Sequence, residues 1–166
     1  MITPAKFAVA VIVLRRNSAV EGGWECILVA RKDDHTRWSL PGGKVDPPPP
    51  SPEPGTITIC GGEGKPRGET TIEAAYRELR EETGLDIPHG EYLGNLNRFI
   101  PQGTVLDSGG YFTTLYLLDT TGMKLPETFE VEDHEAPVEW GPVHRLFDGP
   151  FGRENAKRLQ KLGVIA

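Results

Sequence analysis

Apolar residues fall into short, nearly continuous runs along most of this chain and take up a helical period at one interior segment. Ala8-Val9-Ala10-Val11-Ile12-Val13-Leu14 is β-branched and almost uninterrupted, the pattern of a strand covered on both faces. Glu21-Gly22-Gly23 reads as a turn, and Cys26-Ile27-Leu28-Val29-Ala30 as a second strand. Arg31 to Arg37 is a polar loop leading into Trp38-Ser39-Leu40-Pro41-Gly42-Gly43, where adjacent glycines permit a close backbone approach. Between Pro47 and Pro54 six of eight residues are proline, which excludes helix and favours an extended spacer. Thr56 to Ile59 is expected to form one short strand between glycine turns.

The period then changes. Ile72, Ala75, Tyr76 and Leu79 stand at i, i+3, i+4 and i+7, with a capping box at Thr70 and Glu73 and a stop at Gly84. Tyr92–Phe99 and Tyr111–Leu118 are expected as strands around a turn at Gly109-Gly110. Pro137 and Pro142 confine a strand over Val138–Val143 to a sheet edge. Gly152–Leu162 closes the chain as a helix with Ala156, Leu159 and Leu162 inward. No internal repeat is present, and strands outnumber helices with connections too short for a doubly wound sheet. The expectation is a single α/β domain over 1–166, a sandwich around a mixed sheet.

Composition narrows the partners. The net charge is −6, which disfavours a nucleic-acid polymer because that role needs clustered Lys and Arg. Cys26 and Cys60 form no CxxC pair, so reduced thiols are expected in place of a zinc site or a disulfide scaffold. No apolar run approaches the ~18 residues of a membrane span, and Arg15-Arg16 follows the first one where a leader would be cleaved. A cytoplasmic location is therefore expected. The four histidines show no metal-ligand spacing, and there is no GxSxG elbow and no GxxxxGK[ST] loop.

The candidate chemistry lies on the first helix. Glu78, Glu81 and Glu82 share an arc roughly 100° wide, well away from the apolar stripe. Like charges at these spacings repel in water. On their own they fit either a solvated acidic face or a site where a hard cation such as Mg²⁺ turns repulsion into ligation. The wider pattern separates the two. Glu69, Arg77, Glu78, Leu79, Glu81, Glu82, Gly84 and Leu85 match Glu-x7-Arg-Glu-U-x-Glu-Glu-x-Gly-U, with U aliphatic. Its chance occurrence is about 10⁻⁸ per starting position. This resembles the core of the Nudix box.

The family motif opens with a Gly six residues before its first Glu, where this chain has Glu63. Trp38 to Pro47 resembles the usual lead-in, and Gly68-Glu69 its continuation. Removing the 20 residues Pro48 to Arg67 restores Gly43 to the expected spacing, so the box reads as split by a Pro/Gly-rich insertion. Such an insertion is affordable if its ends stay adjacent, because loop-closure entropy grows slowly with length.

The resemblance implies a Nudix-type α/β/α sandwich around a mixed, curved sheet and hydrolysis of a nucleoside diphosphate linked to another group, with Mg²⁺ or Mn²⁺. By the same resemblance Glu78, Glu81 and Glu82 bind metal, with Glu69 as accessory acid and the Gly43 carbonyl as a further ligand. Arg77 orients a glutamate through a charge-assisted hydrogen bond. The base that takes the water's proton is either Glu78 or an acid of a later loop. Glu130, Glu132, Asp133, Glu135 and Glu139 are available there, Glu132 and Glu135 being preferred. Arg31, Trp38 and Lys44 are the candidate substrate contacts. The lead-in looks like the small MutT-like enzymes that act on (d)NTPs, including modified ones. Pro101 lies one position off the proline often found in ADP-ribose-cleaving relatives. ADP-ribose or dinucleoside-polyphosphate hydrolysis, and a non-catalytic ligand-binding module, are the alternatives. The resemblance also allows a homodimer.

Overall fold

The computed structural model describes residues 5–47, 68–87, 98–106, 109–130, 136–149 and 151–165. The strands are β1 (Lys6–Ile12), β2 (Leu14–Arg16), β3 (Trp24–Ala30), β4 (Trp38–Ser39), β5 (Gly42–Lys44), β6 (Phe99–Leu106), β7 (Tyr111–Leu118) and β8 (Val138–Pro142). Two α-helices, α1 (Thr71–Thr83) and α2 (Gly152–Lys161), join two 3-10 segments, Glu21–Gly23 and Val143–Asp148. The strands divide between two sheets. The first has the order β5-β1-β7-β6 and is mixed: β1 runs parallel to β7 and antiparallel to β5. In the second, β3 pairs antiparallel with β2, β4 and β8.

The continuous apolar run of β1 is explained by cover on both faces. Val9 and Val11 join Ile27 and the α1 residues Ala75, Tyr76 and Leu79 in one core. Ile12 and Leu28 join Leu146 and Leu159 in a second core, beneath the 3-10 segment and α2. Successive β1 side chains thus feed alternate cores, as the two-residue period of a strand requires. The arrangement is the mixed α/β sandwich expected from the pattern.

Helix α1 begins and ends at the expected residues. The Thr70 hydroxyl accepts from the Glu73 N–H, and the Glu73 carboxylate accepts from the Thr70 N–H. At the other end Gly84 takes φ 76°, the left-handed conformation that favours glycine, and its N–H donates to the Arg80 carbonyl. Strand β7 has the predicted limits. Strand β8 stops at Pro142 and, among the described residues, pairs only with β3, which places Pro142 at an edge.

Strand β6 departs from expectation, since it starts at Phe99 and runs on through Pro101 to Leu106. It is the edge of the first sheet, and its register shifts between Pro101 and Gly103. A proline is tolerated there because, among the described residues, no second neighbour needs its missing N–H. In α2 the structure buries Leu159 as expected but also Asn155, a polar side chain on the inward stripe. Cys26 is a free thiol, fully buried, and burial pushes it up to about 12. Cys60, the expected strand at 56–59 and residues 48–54 of the proline-rich segment lie outside the described residues, as do all but the last two residues of the expected strand 92–99. Among the described residues no helix is long and apolar enough to cross a membrane.

Candidate active site

Helix α1 lies against β1 and β5, and this docking brings its acidic face to the glycines. Gly42 belongs to β5 opposite Ala10, and a Cβ there would collide with the Val9 carbonyl. At Gly43 a Cβ would stand 2.5 Å from the Glu78 carboxyl carbon. Glycine at both positions is therefore what lets the β5 backbone and the Glu78 carboxylate occupy adjacent space. The Gly42 N–H donates to Glu82 Oε2 at 3.1 Å, fixing a second acid against the same strand.

Arg77 organises the remainder. Its Nε and Nη2 donate to the two oxygens of Glu69 at 2.7 and 2.8 Å, a bidentate pair. Nη1 donates to Glu78 Oε1 at 2.9 Å and to Glu81 Oε2 at 3.1 Å. Nη2 also reaches the Lys44 carbonyl at 2.9 Å. One guanidinium thus ties three acids to the β5 backbone. The Glu69 hydrogen bond, ahead of the neighbouring charges, holds Arg77 protonated above its ordinary value.

The chain ends flanking the proline-rich segment are in direct contact. The Glu69 N–H donates to the Asp46 carbonyl at 3.0 Å, and the Asp46 N–H donates to Glu69 Oε1 at 3.0 Å. Residues 46 and 69 are therefore neighbours, whatever lies between them in sequence.

Glu78, Glu81 and Glu82 line one cavity of about 390 Å³ with Arg31, Ser39 and Gly42. Burial outweighs the charge of Arg77 and raises the Glu78 carboxyl above its ordinary 4.5. The sign of the linkage follows. A carboxyl raised on folding binds more protons in the native state, so stability falls as pH rises from about 4.5 through the folded value. Urea denaturation of metal-free protein at pH 4 to 7 should show this decline, and Glu78→Gln should make it shallower. Identical pH slopes in the two proteins would contradict the raised carboxyl.

Several expected residues meet at this site: Gly43, Glu69, Arg77, Glu78, Glu81 and Glu82 form one connected cluster, and Arg31 lines its cavity. The donors are hard carboxylate oxygens, which suits Mg²⁺ or Mn²⁺. Among the described residues, however, no three acidic, histidine or cysteine side chains already form a metal cage. The Arg77 guanidinium stands among them instead. Glu69, the expected accessory acid, faces Arg77 in this structure. Both its oxygens are taken by Arg77, so it holds the arginine.

Trp38 is not brought to this site. It lines neither this cavity nor the neighbouring one; its ring packs on both smaller cores, with the Arg145 guanidinium carbon 5.5 Å from its centroid. Glu139 is bonded to Arg145 at 2.5 Å and Glu130 lines neither cavity, so neither candidate base is brought to the acids. Glu132, Asp133 and Glu135 lie outside the described residues.

A second cavity of about 370 Å³ shares Arg31, Ser39, Leu40 and Gly42 with the first and runs beneath α2. Lys44 is on its wall. The sequence reading missed Asn155 and Arg158, which line it from α2. The signal was present: Asn155 precedes Leu159 by four residues, a polar side chain on an otherwise apolar inward stripe.

The relationship to known proteins agrees with this layout. Among solved structures, the chain is similar to a MutT/nudix family protein from Enterococcus faecalis (21% identity, TM-score 0.55), covering 84% of this chain and 44% of that one. It is also similar to the NUDIX domain of Shewanella oneidensis NrtR, crystallised with ADP-ribose (14%, TM-score 0.58; 97% and 90% covered). A third similarity is to the Caenorhabditis elegans Ap4A hydrolase (16%, TM-score 0.56; 96% and 97% covered). At such identities these likenesses establish the fold. The chain spans less than half of the Enterococcus protein. No curated protein matches the sequence. The NUDIX domain family itself matches residues 5–162, nearly the whole chain, and this protein belongs to that family.

Proposed function

We propose that this protein hydrolyses a nucleoside diphosphate linked to another group, with a (d)NTP or modified (d)NTP as substrate and a nucleoside monophosphate as product. One observation carries the reading: a single guanidinium, Arg77, joins Glu69, Glu78 and Glu81 to the β5 backbone beside a cavity that Glu78, Glu81 and Glu82 line.

Glu78, Glu81 and Glu82, with the Gly43 carbonyl, would hold Mg²⁺ or Mn²⁺. When bound, the cation supplies charge cancellation on the diphosphate and acidifies a water. The chain's own residues do the remainder. Glu69 fixes Arg77, and Arg77 fixes Glu78 and Glu81 so that their orientation does not have to be found during turnover. Gly42 holds Glu82 by its N–H. Glu78, which lines the acid cavity beside the Gly43 backbone, is the described candidate to accept the proton of the attacking water. Arg31, shared by both cavities, is placed to meet the phosphate chain as the nucleoside enters the cavity beneath α2.

The close contact of Asp46 and Glu69 supports the view that residues 48–67 interrupt one continuous site. The test is product analysis with Mg²⁺ over (d)NTPs, oxidised dGTP, ADP-ribose and dinucleoside polyphosphates. The expected result is monophosphate from one or more (d)NTPs. Cleavage confined to ADP-ribose or a dinucleoside polyphosphate would overturn the substrate assignment, and silence across the panel in folded, metal-loaded protein would overturn the hydrolase reading.

A further inference from the structure

Two segments far apart in sequence meet beside the acid cluster, and they meet with the geometry of a tight turn. The Asp46 carbonyl accepts the Glu69 N–H at 3.0 Å. Asp46 is followed by Pro47, and Glu69 is preceded by Gly68. Were these four residues consecutive, that bond would be the i to i+3 closure of a β-turn. A type II turn sets φ at about −60° in its second residue and about +80° in its third, which favours proline and then glycine. The pyrrolidine ring holds Pro47 close to the first value. Gly68 has φ 80°, the second. The closing bond, the two residue types and the left-handed glycine are thus all present, although 20 residues separate Pro47 from Gly68.

The same four residues are tied into the acid cluster. On one side the Val45 N–H donates to the Phe7 carbonyl at 2.8 Å, so Asp46 leaves the sheet from a fixed position. The Asp46 N–H donates to Glu69 Oε1, the oxygen that Arg77 Nη2 also reaches. On the other side Thr70 caps α1 immediately after Glu69. The backbone therefore places Glu69 from two directions, from β5 through the turn bond and from α1 through the cap. Glu69 holds Arg77, and Arg77 holds Glu78 and Glu81.

We infer that Asp46, Pro47, Gly68 and Glu69 are a type II turn interrupted between its two central residues, and that Gly68 is a positioning residue that aims the acids through Glu69 and Arg77. Residues 48–67 are then not needed to assemble the cluster. A side chain at Gly68 drives the backbone away from φ 80° and carries Glu69 with it. Excising 48–67 instead closes the turn and leaves every contact named above in place. The expected effects on metal binding and turnover rest on the reading of Glu78, Glu81 and Glu82 as the metal site; the folding of the excised protein does not.

The first test joins Pro47 directly to Gly68 with residues 48–67 removed. This variant is expected to unfold cooperatively and to melt no lower than the full chain, because a shorter loop costs less to close. Its Mn²⁺ affinity and kcat should stay within about threefold of the parent, well inside the roughly 10–100-fold lost when a group that orients metal ligands is removed. Gly68→Ala in the full chain is expected to weaken Mn²⁺ binding and lower kcat by about tenfold each. Its KM should change less than about twofold, since the walls that meet substrate are untouched. A glycine that served the fold alone would lower the melting temperature and leave Mn²⁺ affinity and kcat as they were, which would overturn the positioning role. An excised protein that does not fold, or that folds and binds Mn²⁺ tenfold or more weakly than the parent, would overturn the inference; this variant decides alone if Gly68→Ala does not fold. If the parent neither binds Mn²⁺ nor cleaves a nucleotide while the excised protein folds and melts with it, the interrupted turn stands and the metal-site reading falls. A parent that binds Mn²⁺ and turns over, beside an excised protein that does neither, gives the reverse.

Discussion

Glu78→Gln and Glu82→Gln are each expected to lower kcat by about 10²–10⁴-fold while the protein stays folded. Glutamine keeps the shape and one acceptor oxygen. Arg77 Nη1 can still donate to residue 78, and the Gly42 N–H to residue 82, so the contacts that seat α1 on β5 survive. What disappears is one negative charge at the cavity. For Glu78 the lost charge is also the one that burial makes unfavourable, so the metal-free variant should melt at the wild-type temperature or above it above pH 5. Activity and stability then move in opposite directions, as at sites where catalytic charge is held against its preferred solvation. Steady-state kinetics with Mg²⁺, Mn²⁺ titration and thermal melts on the same preparations would check this. Wild-type turnover in both variants would remove these acids from the reaction.

The legible parts of this protein are those whose information is local. The Thr70 and Glu73 box, the Gly84 stop and the shared arc of Glu78, Glu81 and Glu82 all lie within one helix, where spacing fixes direction. The edge position of β8 was readable because Pro137 and Pro142 exclude a central strand. Arg77 could be expected to orient an acid, but its reach to Glu69, Glu81 and the Lys44 carbonyl could not be read from α1 alone, because the loop at 42–46 must dock first.

The cavity beneath α2 was hidden for the same reason. Ala8, Gly42, Gly103 and Thr113 come from four strands and acquire meaning only once their register is set. Trp38 shows the converse case. An aromatic beside a glycine loop looks like a base platform, yet pairing of Trp38 with Ala30 turns its ring into the packing around β3. Residue type was informative and side-chain direction was not.

Arg77→Ala should cost more stability than any single acid substitution, and should lower turnover as a separable effect. Glu69 is only 5% exposed at its side chain, and Arg77 supplies its bidentate partner. Removing the arginine takes the countercharge from that carboxylate, which keeps the Asp46 N–H, and leaves Glu78 and Glu81 repelling it. Breaking a buried pair costs about 3–5 kcal/mol; since Arg77 retains 23% exposure, about 2–4 kcal/mol is expected here. Turnover should fall about 10–100-fold through loss of orientation, the scale of groups that position ligands without touching substrate. Arg77→Lys restores the charge but not the fork, so it should recover more stability than activity. The decisive comparison is the double variant. If stability is lost because Glu69 keeps its charge without the guanidinium, adding Glu69→Gln to Arg77→Ala returns part of the denaturation free energy, a coupling of about 1–3 kcal/mol. It returns no activity, since nothing then orients Glu78 and Glu81. Equal recovery of both would mean that Arg77 only supports the fold, whereas recovery of stability alone separates the pairing of Glu69 from the aiming of the catalytic acids.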